Sequence, residues 1–185
     1  MHTLNALTLR IELVDIQPVI FRQVIVPGDI TLTVLHQVIQ TAFGWGDCHL
    51  HEFTFGKTRY EPPSLPSELP DDETLSTIEV RLNRALGGSR QFFYSYDFGD
   101  GWQHLITAEE WAPADTLNVP TCVDGANACP PEDVGGPNGY MDFVEAMADP
   151  THEEHAEMMR WHGKRFDPKR FSVTAVNRRL RTIKL

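Results

Sequence analysis

The nine residues YDFGDGWQH, Tyr96 to His104, hold two carboxylates, an imidazole, two glycines and three aromatic rings. A carboxylate that orients an imidazole serves general bases and histidine metal ligands alike, because it fixes which ring nitrogen carries the proton. Whether Asp97 and His104 form that pair depends on the turn between them. A two-residue type I′ turn at Asp100-Gly101 opposes Asp97 to His104, with Cβ atoms about 4.5 to 5.5 Å apart. It also puts Phe92, Tyr94, Tyr96, Phe98 and Leu105 on one aromatic face. A three-residue tip with a bulge, Gly99-Asp100-Gly101, opposes His104 to Tyr96 instead and leaves no pair. An ordinary cross-strand contact is the plainer reading of Asp97 and His104, and Asp100 is first a turn former.

Other residues of ligating type lie nearby in the chain. In HLHEFTFG, His49 and His51 are i and i+2 of a strand, so both rings leave one face and are placed to chelate a single divalent ion. Cupin sites use such a pair, but the accompanying glutamate and glycines are missing here. Cys122 and Cys129 have six residues between them, wider than the two to four of a zinc knuckle, and read as small residues folded into a loop. His152 and His155 are three apart on a helix, but acidic neighbours make that a solvated face. Pro130 to Gly136, PPEDVGG, sets Glu132 and Asp133 in a stiff turn beside a flexible one. They are candidates for acid, base or metal ligand; equally, the segment is the turn that leads into the next helix. The catalytic candidates are thus Asp97, His104, Glu132 and Asp133, and the metal candidates His49, His51, Asp97 and His104. Trp45, Tyr96, Trp102 and Tyr140 are the rings available to hold a ligand.

The elements that must position these residues follow from periodicity. Leu7, Leu9, Ile11 and Leu13 alternate with polar residues, the mark of a half-buried strand. PVIFRQVIVPGD reads as a second strand closed by Pro27-Gly28. From Thr33 to Phe43 the apolar residues Leu35, Val38, Ile39 and Ala42 take helical spacing, with Thr31 or Thr33 as cap and Gly44 as terminator. Glu61 to Thr74, rich in proline and acid, reads as a solvated mobile loop. Leu75 to Leu86 ends in a short helix. RQFFYSYDF and WQHLITAEE form a hairpin. The segment from Val119 to Tyr140 reads as mostly irregular. Helices follow over Tyr140–Ala148, after Thr151 with Glu154 as capping-box partner, and after Ser172, where Val173, Val176, Leu180 and Ile183 face inward. Strands first and helices last indicate an α+β architecture, with one N-terminal-half helix and a C-terminal group of helices.

Length and composition set the outer limits. A chain of 185 residues fits one domain, residues 1–185, with a core that needs no staples. No apolar run approaches the roughly 20 residues of a membrane span, and the start lacks a basic region followed by an apolar block, so a cytoplasmic protein is expected. Three cysteines do not make a disulfide scaffold. The net charge of −10 argues against a wholly electrostatic nucleic-acid binder, yet it is unevenly spread. Residues 164–185 hold eight Lys or Arg against the single acid Asp167, while residues 1–163 hold eight basic and 25 acidic residues. This basic segment, Lys164 to Lys184, either docks onto the acidic body or meets nucleic acid.

Four stretches, IQTAFGWGDCHLHEF, YDFGDGWQH, CPPEDVGGPNGY and FDPKRFSVTAVNRRL, resemble in this order the plasmid pRiA ORF-three-like family, over nearly the whole chain. The resemblance implies an α+β domain with a twisted antiparallel sheet, and members found on plasmids and beside transposases. It implies no settled reaction. The family's motif positions fall here on Trp45, His49, His51, Tyr96 to Asp100, Trp102, His104, Pro131 to Asp133, Gly135, Gly136, Gly139 and Tyr140. Gly101 departs from the polar residue many relatives carry, which leaves the hairpin register open.

Three functions are in play. The first expectation is a non-catalytic binding or accessory module, linked through the family to mobile elements, that holds a protein or small ligand. The second is a metal-dependent hydrolase or nuclease in which His49, His51, Asp97, His104 and Glu132 or Asp133 converge on one divalent ion that activates water. The third is nucleic-acid binding through Lys164 to Lys184.

Overall fold

The alternation in the first segment builds strand β1 (Asn5–Leu13), in which Leu7, Leu9, Ile11 and Leu13 are buried and the residues between them half-buried. In this computed structural model, residues 5–63, 74–113 and 119–185 are described. Most of the loop expected over Glu61–Thr74 lies outside them. β2 (Phe21–Pro27) pairs with β1. Helix α1 (Leu32–Phe43) is capped by Thr31, whose hydroxyl accepts from Val34 N, and ends at Gly44 with φ +92°. There follow β3 (His51–Phe55), β4 (Thr58–Glu61), β5 (Thr74–Ser76), the short α2 (Leu82–Leu86), and the hairpin strands β6 (Gln91–Tyr96) and β7 (Trp102–Pro113). Then come β8 (Thr121–Ala126) and helices α3 (Gly136–Ala148), α4 (His155–His162) and α5 (Val173–Leu180).

The eight strands of the described residues form one sheet in the order β5-β4-β3-β6-β7-β1-β2-β8, antiparallel except for β4 with β5. This is the α+β class read from the sequence. One face is apolar and closed: Leu9, Ile11, Val24, Phe53, Phe92, Tyr94, Trp102 and Ile106 are each at most 1% exposed. Helix α1 lies over it, with Leu35, Val38, Ile39 and Ala42 buried. Full burial of one such side chain contributes about 1.5 to 3 kcal/mol, so this layer holds the sheet and helix together. Helix α5 seals the sheet's edge: the Asn177 amide accepts from Cys122 N at 2.7 Å and donates to Cys122 O at 2.8 Å. Free edge groups of β8 are thereby paired.

Three local expectations are corrected. The Val119–Tyr140 stretch contains a strand, β8, because the outer edge of β2 is open to pairing. Thr151 does not cap α4; its hydroxyl donates to Asp149 Oδ1 at 2.7 Å, and the helix starts only at His155. Ser172, by contrast, does cap α5 through Ala175 N.

The third correction concerns the hairpin. Neither expected register occurs: Tyr96 pairs with Trp102, Ser95 with Gln103 and Tyr94 with His104. Asp97 and His104 are therefore not a pair. The cause is Asp97 itself, which adopts φ +53° and accepts at Oδ1 from Gly99 N (3.0 Å) and Asp100 N (3.3 Å). Such an aspartate side chain replaces the strand ladder by a local turn, so β6 ends early and the loop runs from Asp97 to Gly101. The expected aromatic face also divides, since Phe98 is 55% exposed in the loop and Leu105 pairs with Phe93 on the open side.

The loop rests against the segment before α3. Gly135 N donates to Asp100 Oδ2 at 3.1 Å, and a Cβ on Gly136 would stand 2.1 Å from the Asp100 carbonyl oxygen. Gly136 also has φ +69°. Gly136→Ala therefore combines a backbone clash with a strained φ, and is expected to cost about 3 kcal/mol or more in a urea unfolding curve. Gly56→Ala, at φ +60° with nothing within 4 Å of the added carbon, is expected to cost about 1 kcal/mol.

Candidate metal centre

The chain leaves α1 through Gly44 and turns at Asp47, which has φ +55° and whose N–H donates to Gln40 Oε1 at 3.0 Å. This brings His49 to the end of β3. The Leu50 carbonyl accepts from Asp97 N at 2.9 Å, which ties the His49 segment to the hairpin loop. Asp97, 8% exposed, spends Oδ1 on its own loop and presents Oδ2 to His49 Nε2 at 3.6 Å. Asp133, at φ +56°, brings Oδ1 to 3.1 Å from the same nitrogen. Glu132 Oε2 stands 4.0 Å away.

Glu132 is held in place. Its Oε1 accepts from Gly46 N at 2.7 Å and from the Tyr96 hydroxyl at 3.1 Å. The Tyr96 oxygen accepts in turn from Cys48 N at 3.1 Å. Burial and the adjacent carboxylate push the Tyr96 phenol well above its ordinary value, so it remains a donor to Glu132.

His49 Nε2 is shut off from solvent and has no aligned hydrogen bond, though it faces three carboxylates. Among the described residues, no Lys or Arg forms an ion pair with Asp97, Glu132 or Asp133. One atom each from His49, Asp97 and Asp133 lies within 4.8 Å of the others. Ligands about 2.1 Å from a shared ion stand roughly 3.0 to 3.4 Å apart at octahedral or tetrahedral angles. The 3.1 Å separation of His49 from Asp133 lies inside that range, and the 3.6 Å separation from Asp97 slightly beyond it.

His49 and His51 do not converge. His51 stacks on His36, with centroids 3.6 Å apart and planes 9° from parallel. His36 Nδ1 meets the Tyr94 hydroxyl and its Nε2 meets Asp47 Oδ1, both at 2.8 Å. These three residues also fall within ligand distance of one another. Both His36 nitrogens are engaged, however, and parallel rings send their lone pairs side by side rather than to one point. His36 and Asp47 were missed in the sequence; the signal was His36 and Gln40, polar residues one turn apart beside the apolar stripe of α1.

His104 is fully buried, its Nδ1 3.1 Å from the Tyr94 carbonyl and its ring edge-on to Phe43 and Trp45. It belongs to the core and not to the carboxylate cluster. The rings expected to hold a ligand are also interior: Trp45, Tyr96, Trp102 and Tyr140 are at most 7% exposed. Trp45 stacks on Tyr96 and donates through Nε1 to the Pro130 carbonyl at 3.0 Å. His152 and His155 serve locally, His152 Nδ1 accepting from Glu154 N and His155 Nδ1 donating to the Ala146 carbonyl.

A family model described as plasmid pRiA4b ORF-3-like protein matches residues 5–175. An uncharacterized protein of Sinorhizobium fredii is 42% identical over 161 residues, which cover 86% of this chain and 81% of the relative. The crystal structure of a protein of unknown function from Methanosarcina mazei Go1 superposes with a TM-score of 0.83 at 30% identity, covering 92% of this chain and 97% of the other. No helix among the described residues is long and apolar enough to cross a membrane.

The core histidines make stability depend on pH. Burial lowers His104 to about 3 and, with His36 beside it, His51 to about 4; burial also lowers His36. The unfolded chain protonates these rings near their ordinary 6.5, so below that pH it binds more protons than the folded chain. Stability is full above pH 6.5 and falls as the pH drops toward 4 and 3. Urea unfolding between pH 7 and pH 5 is expected to show the loss, at up to about 1.4 kcal/mol per pH unit for each neutral ring. Constant stability across that interval contradicts the assignment.

Proposed function

This chain belongs to the plasmid pRiA4b ORF-3-like protein family, and we propose that it binds a divalent metal ion through His49, Asp97 and Asp133 and uses it to activate water for hydrolysis. One observation carries the reading. A solvent-shielded imidazole nitrogen without an aligned hydrogen bond faces carboxylate oxygens at 3.1, 3.6 and 4.0 Å, and no protein cation neutralises them among the described residues. Three protein ligands leave further coordination positions to water and substrate. The Asp133 side chain, 70% exposed, marks the open side. A mixed imidazole and carboxylate set suits manganese(II) or zinc(II). Glu132 has its Oε1 anchored by Gly46 N and the Tyr96 hydroxyl, while its Oε2 stands 3.4 Å from the same hydroxyl and 4.0 Å from His49 Nε2, where it can accept a proton from water that such an ion would activate.

The alternative of a non-catalytic ligand-binding module gains less support, because Trp45 packs against Tyr96 and Trp102, Tyr140 meets Phe166 edge-on, and all four rings are at most 7% exposed. A role beside mobile elements remains an expectation of the family resemblance alone.

Titration calorimetry of chelator-treated protein with Mn²⁺ and Zn²⁺ tests the site. One ion per chain is expected, with Asp97→Asn and Asp133→Asn each weakening it at least about tenfold, the scale on which metal affinity responds to losses around the ion. Glu132→Gln is expected to retain the ion and to lose about 10² to 10⁴ in metal-dependent turnover of a chromogenic ester. Absent or sub-stoichiometric binding, or binding indifferent to Asp97→Asn, overturns the proposal.

A further inference from the structure

Beside the carboxylate cluster lies a cleft of about 550 Å³ between the end of α1, the 128–132 segment, the 162–172 segment and α5. That volume falls within the range of pockets that take small organic ligands. Its lining is strongly cationic: Arg22, Lys164, Arg165, Arg170, Arg178 and Arg179 all contribute. The two lining acids, Glu132 and Asp167, offset only two of these six charges. Asp167 Oδ1 accepts from Lys169 N at 3.0 Å within its own turn, and Glu132 is engaged by Gly46 and Tyr96. Among the described residues, none of these six cations forms an ion pair.

Arg22 shows how unusual this concentration is. The residue is 3% exposed, and its guanidinium donates to four main-chain carbonyls, those of Phe21, Ala42, Ala126 and Asn127. It fixes the floor of the cleft, its guanidinium lying over the Phe43 and Phe171 rings, and among the described residues no carboxylate pairs with it. A buried charge without a counter-charge is costly, and an anion in the cleft relieves it. The remaining five cations stand exposed around the opening. One wall is rigid, because Phe171 fills the space over Gly125, where a Cβ would come within 2.4 Å of the ring.

The two poles share a boundary. Trp45 and Glu132 line the cleft, and Glu132 Oε2 also faces His49. We propose that the cleft binds the phosphate of a nucleotide, free or at the end of a strand, and presents its ester to the carboxylate-bound ion. This rests on the hydrolytic reading above and names its substrate class. An ion held by His49, Asp97 and Asp133 would lower the pKa of the attacking water; in the step so defined, water loses a proton to Glu132 and its oxygen bonds to phosphorus. The P–O bond to the alcohol breaks, and the departing oxygen takes that proton, leaving a free alcohol and a phosphate. The segment from Lys164 to Lys184, expected to dock on the acidic body or to meet nucleic acid, docks through Val176, Leu180 and Ile183 and keeps its charges for a ligand.

Binding of AMP and of a 12-nucleotide single-stranded DNA, measured by calorimetry in EDTA, separates the two poles. Without metal, at least one of these probes is expected to bind with affinity that falls as salt rises. The double variant Arg165→Glu/Arg178→Glu, both residues exposed, is expected to weaken binding at least tenfold with an unchanged urea midpoint. Asp97→Asn is expected to leave it intact. Saturation by AMP identifies the free nucleotide as ligand, and binding of the DNA alone identifies the strand; either supports the cleft. Binding in EDTA together with no Mn²⁺ or Zn²⁺ uptake keeps the cleft and sinks the metal site. Failure of both probes to bind, or binding unaffected by the charge reversal, overturns the cleft whatever the metal result.

Discussion

The hairpin tip resting on the PPEDVGG loop is the contact on which the site depends. Gly136 has no Cβ, and only that absence lets its backbone come against the Asp100 carbonyl, with Gly135 N donating to the same aspartate's side chain. Asp133 and Glu132 precede this contact by three and four residues. Their approach to His49 is therefore fixed by main chain and not by flexible side chains. Two further bonds complete the clamp: Trp45 Nε1 to the Pro130 carbonyl and Gly46 N to Glu132. Segments distant in sequence thus meet at one imidazole because glycine permits close approach on one side and tryptophan fixes the other.

Behind this arrangement stands a wall of neutral polar groups. The Tyr94 hydroxyl meets His36 and Gln40, and its carbonyl meets His104. The rings fill the core as apolar bodies, provided that they stay unprotonated. Acid therefore acts against the framework through these buried rings.

Much of the framework was legible in the sequence. Alternation over residues 5–13, helical spacing over 33–43 and Ser172 ahead of its apolar stripe gave elements that the structure contains, because each is a local pattern that burial on one side reinforces. Strand β8 was hidden, since its glycine and aspartate speak against a strand and only the open edge of β2 recruits it. The hairpin register was hidden for a related reason. Turn statistics favour Asp100-Gly101, but the side chain of Asp97 forms its own turn and the rings of Tyr94, Tyr96, Trp102 and His104 all gain burial in the resulting register. His49, Asp97 and Asp133 stood among the residues expected to converge on one ion. That His51 and His104 fall outside the cluster was not legible, because the cluster is made by loops that meet across some 85 residues of chain.

The distribution of charge follows from how the last helix is attached. Val176, Leu180 and Ile183 supply its apolar anchor and Asn177 supplies its hydrogen bonds to β8, so its arginines are not needed for docking. Carboxylates around His49 and cations around the cleft attract one another, yet Trp45, Pro130 and the anchored Glu132 stand between them. Mobile loops bearing these charges would collapse into mutual ion pairs. A rigid partition prevents that, leaving one pole short of cations and the other short of anions. The protein thus maintains adjacent opposite charges at close range, the arrangement that the proposed ion and phosphate ester would together satisfy.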